Sequence, residues 1–317
     1  MNKLSSVLIA RIHALNQVRR LSTVKIRPRL QALPAIRAVL FDVYGTLVDS
    51  GAGPLQLGDE MVLKRRMRGI LRQAGFSTCF RDAGISVMTA WREKILIDYH
   101  LARAGGIDYP ELDIRNIWRQ VLHLGIQRGW IMGSVNAGTI TRIALEFEGV
   151  QNPVVLMPGI ENALARLRQR GIKMGIVSNA QFYTPLILQV LFGASLAKVG
   201  FDRSLCIWSY RLGRAKPSPC LLNLALERIK KKYGLTPKEV LVIGNDWNND
   251  LAPARRAGCR TALLAGSIRS FPHPQKAVRR WRPDLLLTNW TQLGNIWIKN
   301  IYNPNSARFA GKIRESD

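Results

Sequence analysis

Four short clusters carry the polar residue types that chemistry requires. Asp42 ends the apolar run Ala38 to Phe41 and opens the string Asp42-Val43-Tyr44-Gly45-Thr46. Ser178 and Asn179 close "MGIVSN". Lys216 precedes Pro217 in "LGRAKPSP". Asp246 and Asp250 lie in "GNDWNND", directly after the apolar "VLVI". A carboxylate placed after a buried strand is costly unless something pairs with it or uses it. Each cluster alone reads equally well as a turn or a helix cap. In chain order they supply an acid, a hydroxyl, a lysine and an acid pair, each after a strand signal, and that ordered set is hard to explain as turns.

The elements that would position them follow from the surrounding pattern. After Met157, buried strands alternate with helices. The expected helices are 159–170, 219–232 and 250–257. The expected strands are "KMGIVS", 204–208, "VLVIG", "TALLA" and "DLLL". Thr236, Pro237 and Glu239 form a helix-start signal of N-cap, first-turn proline and capping-box acid. Ala38 to Phe41 is the first strand. Such alternation predicts an α/β fold, a parallel sheet core with helices on both faces. Ligands of an open parallel sheet bind beyond the carboxyl ends of its strands, where all four clusters fall.

Between Ser50 and Leu156 the strand signals vanish. "VLKRRMRGILRQAG", "GISVMTAWREKILIDYHLARAG", "IRNIWRQVLHLG" and "GTITRIALEFEG" read as helices ended by glycine. The expected organisation is a basic extension over 1–34, a discontinuous core over 35–50 and 156–300, an inserted all-helical domain over 51–155, and a tail over 301–317.

The ordered clusters resemble the haloacid dehalogenase-like hydrolase superfamily, over about Ile36 to Leu293. The resemblance implies a Rossmann-like core, a helical cap inserted after the first motif, and Asp42 as nucleophile. A carboxylate nucleophile forms a covalent intermediate that water then hydrolyses, so one hard step becomes two easier ones. Thr46 and Ser178 would donate to substrate oxygens, with Asn179 beside them, and Lys216 would neutralise charge. Asp42, Asp246, Asp250 and the backbone carbonyl of Tyr44 would hold Mg²⁺ through oxygen ligands. Asn245 stands where an acid usually follows the glycine, so Asn245 and Asp246 compete for one metal-facing place; Asp246 is preferred.

Tyr44 occupies the place of the acid that protonates the leaving group in the family's phosphatases. A phenol titrates near 10 and is a poor acid for that purpose at pH 7. "FDVYGTL" resembles the dehalogenases proper, whose halide leaving group needs no proton. Against dehalogenation, the Tyr that those enzymes carry six residues after the lysine is Leu222 here. The acidic fourth cluster also favours a metal, since three packed carboxylates are costly without a cation. The expected activity is therefore a Mg²⁺-dependent phosphatase acting on a small phosphorylated metabolite. The alternatives are a 2-haloacid dehalogenase-like hydrolase, and a phosphometabolite-binding protein without turnover. Trp91, Tyr99, His100 and Trp118 are candidate substrate contacts from the cap, each equally readable as bundle core.

The chain has 317 residues, 47% of them hydrophobic, and a net charge of +26. No apolar run is long enough to cross a bilayer, which predicts a soluble protein. The charge admits nucleic acid or an anionic surface as partner, but no aromatic residues interleave the basic runs, so solvated helix faces are preferred over nucleic-acid binding. The four cysteines form no C-x-x-C pair. A reducing, cytoplasmic setting is expected. The leader holds no Asp or Glu before Asp42 and carries a partly helical apolar stripe of Val7, Ile9, Ile12, Leu15, Val18 and Leu21. It reads as an organellar transit peptide, an unstructured extension or a misassigned start, dispensable to the fold in each case.

Overall fold

The computed structural model describes residues 6–15, 26–33, 35–50, 66–267 and 282–297. Val18, Leu21, Lys64, Arg65, Arg279, Arg280 and the tail after Trp297 lie outside them.

In chain order the core opens with β1 (Ala38–Phe41) and β2 (Val48–Ser50). A helix at 66–73, α2, follows α1 (Ser6–Leu15) in the helix numbering. The inserted region holds β3 (Ser77–Thr78), α3 (Ala83–Ala104), α4 (Ile114–Gln127), β4 (Ile131–Met132) and α5 (Ala137–Gln151). The chain returns through β5 (Val154–Leu156), α6 (Ile160–Gln169), β6 (Lys173–Ser178), α7 (Thr184–Leu191) and α8 (Leu196–Val199). Then come β7 (Phe201–Trp208), α9 (Ser209–Leu212), α10 (Cys220–Tyr233) and β8 (Val240–Gly244). A π-helical turn, Trp247–Leu251, leads into α11 (Ala252–Arg256), β9 (Arg260–Leu264) and β10 (Leu285–Leu287).

Six strands form one sheet in the order β10-β9-β8-β1-β6-β7, and every described pairing in it is parallel. Strand side chains alternate between faces. Val39 and Phe41 therefore join one apolar cluster, with Leu164 and Leu167 of α6. Ala38 and Leu40 join another, with Leu221, Leu222 and Ala225 of α10. Both faces are covered, as the sequence alternation predicts. β1 is buried along its whole length, because it lies in the middle of the sheet with helices above and below.

Four differences from the sequence reading have local causes. First, the inserted region is not wholly helical: β3 and β4 pair antiparallel, over two residues each, too short to leave a periodic signal. Second, β2 and β5 pair antiparallel and join the insertion to the core. Third, "TPLILQVL" forms α7, which is apolar on nearly every side and so shows no helical stripe. Fourth, part of the leader belongs to the fold. α1 packs on α5 and α7, Ile12 is buried, and Leu15 lies against Gly149. Arg11 donates to both carboxylate oxygens of buried Glu146. Among the described residues no helix is long and apolar enough to cross a membrane.

Candidate active site

The register places three strand ends side by side. Phe41 is level with Ile176 of β6 and Ile243 of β8. The residues that follow, Asp42, Val177–Ser178 and Gly244–Asn245, therefore gather at one edge of the sheet. The Asp42 amide donates to the Ile243 carbonyl at 2.9 Å, which fixes the carboxylate's direction of exit from β1. Lys216 reaches in from the loop after α9. Its Nζ donates to Asp42 Oδ1 at 2.7 Å, to Asp250 Oδ1 at 2.5 Å and to the Val177 carbonyl at 3.1 Å. Three acceptors use all three ammonium protons, so the cation has one orientation. Burial works against the charge on Lys216, but Asp250 and Asp42 outweigh it and hold its pKa above the ordinary lysine value. Burial pushes the Asp250 carboxyl upward, opposed by Lys216 and reinforced by Asp42.

Other residues in the cluster hold this arrangement. Asn179 donates from Nδ2 to the Lys216 carbonyl at 3.1 Å and accepts from the Lys216 amide at 2.6 Å. Its amide is spent on positioning the lysine backbone. Ser178 is fully buried, with Oγ 3.4 Å from the Asn179 carbonyl, and Thr46 is fully buried, with Oγ1 3.4 Å from Asn245 Oδ1. Two glycines are required by close approach. A Cβ on Gly244 would fall 2.2 Å from Asp250 Oδ2, and one on Gly45 would fall 2.5 Å from Asn245 Nδ2. Gly45 also has φ +80°, which side-chain-bearing residues rarely adopt.

Asp246 behaves differently from its two partners. Oδ1 accepts from the amides of Asn248 and Asn249 at 2.7 and 3.0 Å, and Oδ2 accepts from Asn249 Nδ2 at 2.9 Å. It is the N-cap of the π-helical turn. Asn245 is the residue that packs against the Gly45–Thr46 backbone after β1. Asp42 and Asp250 thus share the Lys216 ammonium, Asn245 lies against Gly45 and Thr46 just after Asp42, and the Asp246 side chain caps the turn. This set is chemically suited to a hard divalent ion, with two carboxylates rather than three. Among the described residues no group of three His, Cys, Asp or Glu comes together as a ready-made metal cluster.

Tyr44 points toward the start of α7. Its hydroxyl lies 2.9 Å from Thr184 Oγ1, at the start of α7. Burial, then the nearby charge of Glu148, push the phenol well above the ordinary tyrosine range. The neighbouring Tyr183 donates to Glu148 Oε2 at 2.8 Å, so core helix α7 and helix α5 of the inserted region are tied directly. A loop of the inserted region, before α4, lies against the same edge. Glu111 accepts from Gln181 Nε2 at 2.6 Å and from Ser209 Oγ at 2.7 Å. The Ala215 amide, next to Lys216, donates to the Tyr109 carbonyl at 2.7 Å.

A family model described as haloacid dehalogenase-like hydrolase matches residues 36–258. A phosphoglycolate phosphatase of Pectobacterium atrosepticum is 30% identical, over 82% of this chain and 92% of that protein. The chain belongs to the haloacid dehalogenase-like hydrolases. A phosphoglycolate phosphatase of Photorhabdus laumondii is 24% identical, over 83% of this chain and 93% of that one. The 2-haloacid dehalogenase structure from Pseudomonas syringae superposes with a TM-score of 0.51 at 21% identity, covering 82% of this chain and 97% of that one, and shares the fold.

In this hydrolase the sequence-expected residues Asp42, Tyr44, Thr46, Ser178, Asn179, Lys216 and Asp250 meet at one sheet edge. The Asp246 amide donates to Asp250 Oδ2 at 3.1 Å, and its side chain caps the turn that follows. Leu222 packs in the core with α10, so no polar group replaces the tyrosine of the dehalogenases there. Trp91 and Trp118 stack with Phe147 inside the cap bundle, at ring separations of 4.7 and 5.4 Å, and His100 is exposed on α3. Sequence reasoning missed Glu111, Gln181, Thr184 and Ser209. No motif marks them. The phrase "SNAQFYT" did carry a signal, since a polar run directly after a strand end must lie beside the site.

Proposed function

We propose that the chain is a phosphoric-monoester hydrolase acting on a small phosphorylated metabolite, with Asp42 as nucleophile and Mg²⁺ as cofactor. The observation that carries this reading is Asp42 itself, at the end of the central strand and held through Oδ1 by Lys216. That hydrogen bond leaves Oδ2 as the attacking oxygen. It forms a bond to phosphorus while the phosphorus–ester oxygen bond breaks. Water then adds to the aspartyl phosphate, the bond between phosphorus and Asp42 breaks, and inorganic phosphate leaves. Thr46 and Ser178 supply hydroxyl donors at the site, and Lys216 offsets the charge of Asp42 as it is approached. Asp42, Asp250, Asn245 and the Tyr44 carbonyl are the residues that would hold Mg²⁺. When bound, the ion supplies positive charge to the phosphoryl oxygens in the transition state.

Tyr44 is a poor acid for this step, because burial raises its phenol well above the ordinary tyrosine range and its hydroxyl is bonded to Thr184. The leaving oxygen takes its proton from water or from the substrate, which favours substrates with good leaving groups. The relatives named phosphoglycolate phosphatase make phosphoglycolate the first metabolite to try. A specific observation favours a second reading, C–halogen hydrolysis. Lys216 pairs with both Asp42 and Asp250, and such a site is charge-balanced to within one unit with no metal. The test is release of phosphate from phosphoglycolate and an aryl phosphate, against release of halide from 2-haloacids, each with Mg²⁺ and with EDTA. Metal-dependent phosphate release supports the proposal; EDTA-insensitive halide release with no phosphate release would overturn it.

A further inference from the structure

The basic residues are concentrated by the topology at the end of the sheet opposite Asp42. In a parallel sheet all strands start at one edge, and the connecting helices run back to end there. Arg37 precedes β1 and Lys173 opens β6. Arg203, Lys238 and Arg260 stand at or within a few residues of the starts of β7, β8 and β9. All five are exposed. Lys173 and Val240 are both level with Ala38, so Arg37, Lys173 and Lys238 stand at the same end of three neighbouring strands, which are spaced about 4.8 Å apart. The last turn of α10 adds Lys230, Lys231 and Lys232 to the same edge. A helix dipole accounts for cations at a helix C-terminus. It does not account for the row at the strand starts.

Three acids neutralise part of this edge: Asp202 is paired with Lys232, Glu239 lies 3.9 Å from Arg37, and Asp284 is paired with Arg260. Among the described residues no acid is paired with Lys173, Arg203, Lys230, Lys231 or Lys238, so the edge keeps a positive excess. Between β1, β6 and the end of α10 the edge is concave, with a cavity of about 220 Å³ lined by Arg37, Arg170, Lys173 and Tyr233. We propose that this edge docks on the phosphate rows of a nucleic-acid duplex, without reading its sequence. Single strands are held by aromatic stacking platforms. Here the lining aromatic, Tyr233, already has Lys173 and Lys232 over its ring at 5.3 and 5.4 Å. An anionic membrane surface is disfavoured because the most exposed run of large apolar side chains in one helix, Leu96, Ile97 and Leu101, lies on α3 and not among these bases. The edge is at the far end of the strands from Asp42, so binding leaves the hydrolytic site accessible.

The test is fluorescence anisotropy of the full chain with a labelled mixed-sequence DNA duplex across a salt series. The parent binds, and log K falls linearly with log salt. The triple variant Lys173→Glu, Lys231→Glu, Lys238→Glu loses about tenfold or more in affinity at fixed salt, and its slope is shallower by ~0.9 for each phosphate it no longer neutralises. Thermal melting and aryl phosphate turnover of that variant match the parent. The corresponding triple Gln variant, which adds no negative charge, loses affinity in the same direction and serves if the Glu version fails to fold. A control with the same charge change on the cap, Arg72→Glu, Arg103→Glu, Arg128→Glu, keeps affinity within about threefold of the parent, because long-range charge alone is screened over ~10 Å. Absence of duplex binding by the parent, equal loss in the cap control, or binding to anionic phosphatidylserine vesicles without binding to the duplex would each overturn the proposal.

Discussion

At the scale of single residues, the proposed chemistry rests on Asp42 and Tyr44, and Asn179 braces the Lys216 backbone. Asp42→Asn keeps the shape of the side chain but removes the proposed nucleophile. Turnover should fall roughly 10³-fold or more with the melting temperature nearly unchanged. Asn179 holds Lys216 by both its amide and its carbonyl. Asn179→Ala should release that loop and lower kcat about 10- to 100-fold, as small misplacements of catalytic groups do. Tyr44→Asp tests whether the site lacks only an acid. General acid catalysis contributes about 10²–10⁴-fold, so an alkyl phosphate should gain strongly and an aryl phosphate much less. Equal response of both esters would mean that Tyr44 acts through its bond to Thr184 rather than as a missing acid. The sequence made Asp42, Lys216 and Asp250 legible because each follows a strand signal. It did not show that Asn179 braces the Lys216 backbone, since a side chain with that role looks the same in sequence as one that binds a ligand.

At the scale of elements, the turn after β8 decides which acids face Asp42. Its π-helical form fits "GNDWNND" into the strand-to-helix junction, turning Asp246 into a cap and bringing Asp250 back to Lys216. The spacing of two acids four residues apart does not reveal that division of labour, because an N-cap acid and a ligand acid have the same composition. Asp246→Ala should cost about 1 kcal/mol, the usual loss for an N-cap, and leave Mg²⁺ affinity by calorimetry unchanged. Asp250→Asn should weaken Mg²⁺ binding clearly. Unchanged affinity in Asp250→Asn would place the metal elsewhere. Gly244→Ala forces a Cβ onto Asp250 and should cost about 1–3 kcal/mol, with turnover falling as Asp250 shifts. The strands "KMGIVS" and "VLVIG" were legible residue for residue, being short apolar runs with clear ends. α7 and the β3–β4 pair were not, one for being apolar all round and the other for being too short.

At the scale of the whole molecule, the described residues join the inserted region to the core through the β2–β5 ribbon, the Tyr183–Glu148 bond and the loop that carries Glu111. α1 adds a further tie, because it packs on both α5 and α7. The part of the leader that forms α1 is therefore expected to contribute to stability, where its composition suggests a dispensable extension. Arg11→Ala leaves Glu146 buried without its partner and should cost about 1–3 kcal/mol, seen as a lower melting temperature. A truncation ending after Leu15 should do at least the same. Parental melting of both variants would show that α1 rests on the fold without supporting it. The central claim is that Asp42 becomes covalently attached to the substrate's phosphoryl group. The most direct measurement is mass spectrometry of the peptide containing residue 42, acid-quenched during turnover of an aryl phosphate with Mg²⁺. The account predicts the added mass of one phosphoryl group on Asp42, and none in Asp42→Asn. Phosphate release at the parental rate by Asp42→Asn, or an adduct on another residue, would contradict it.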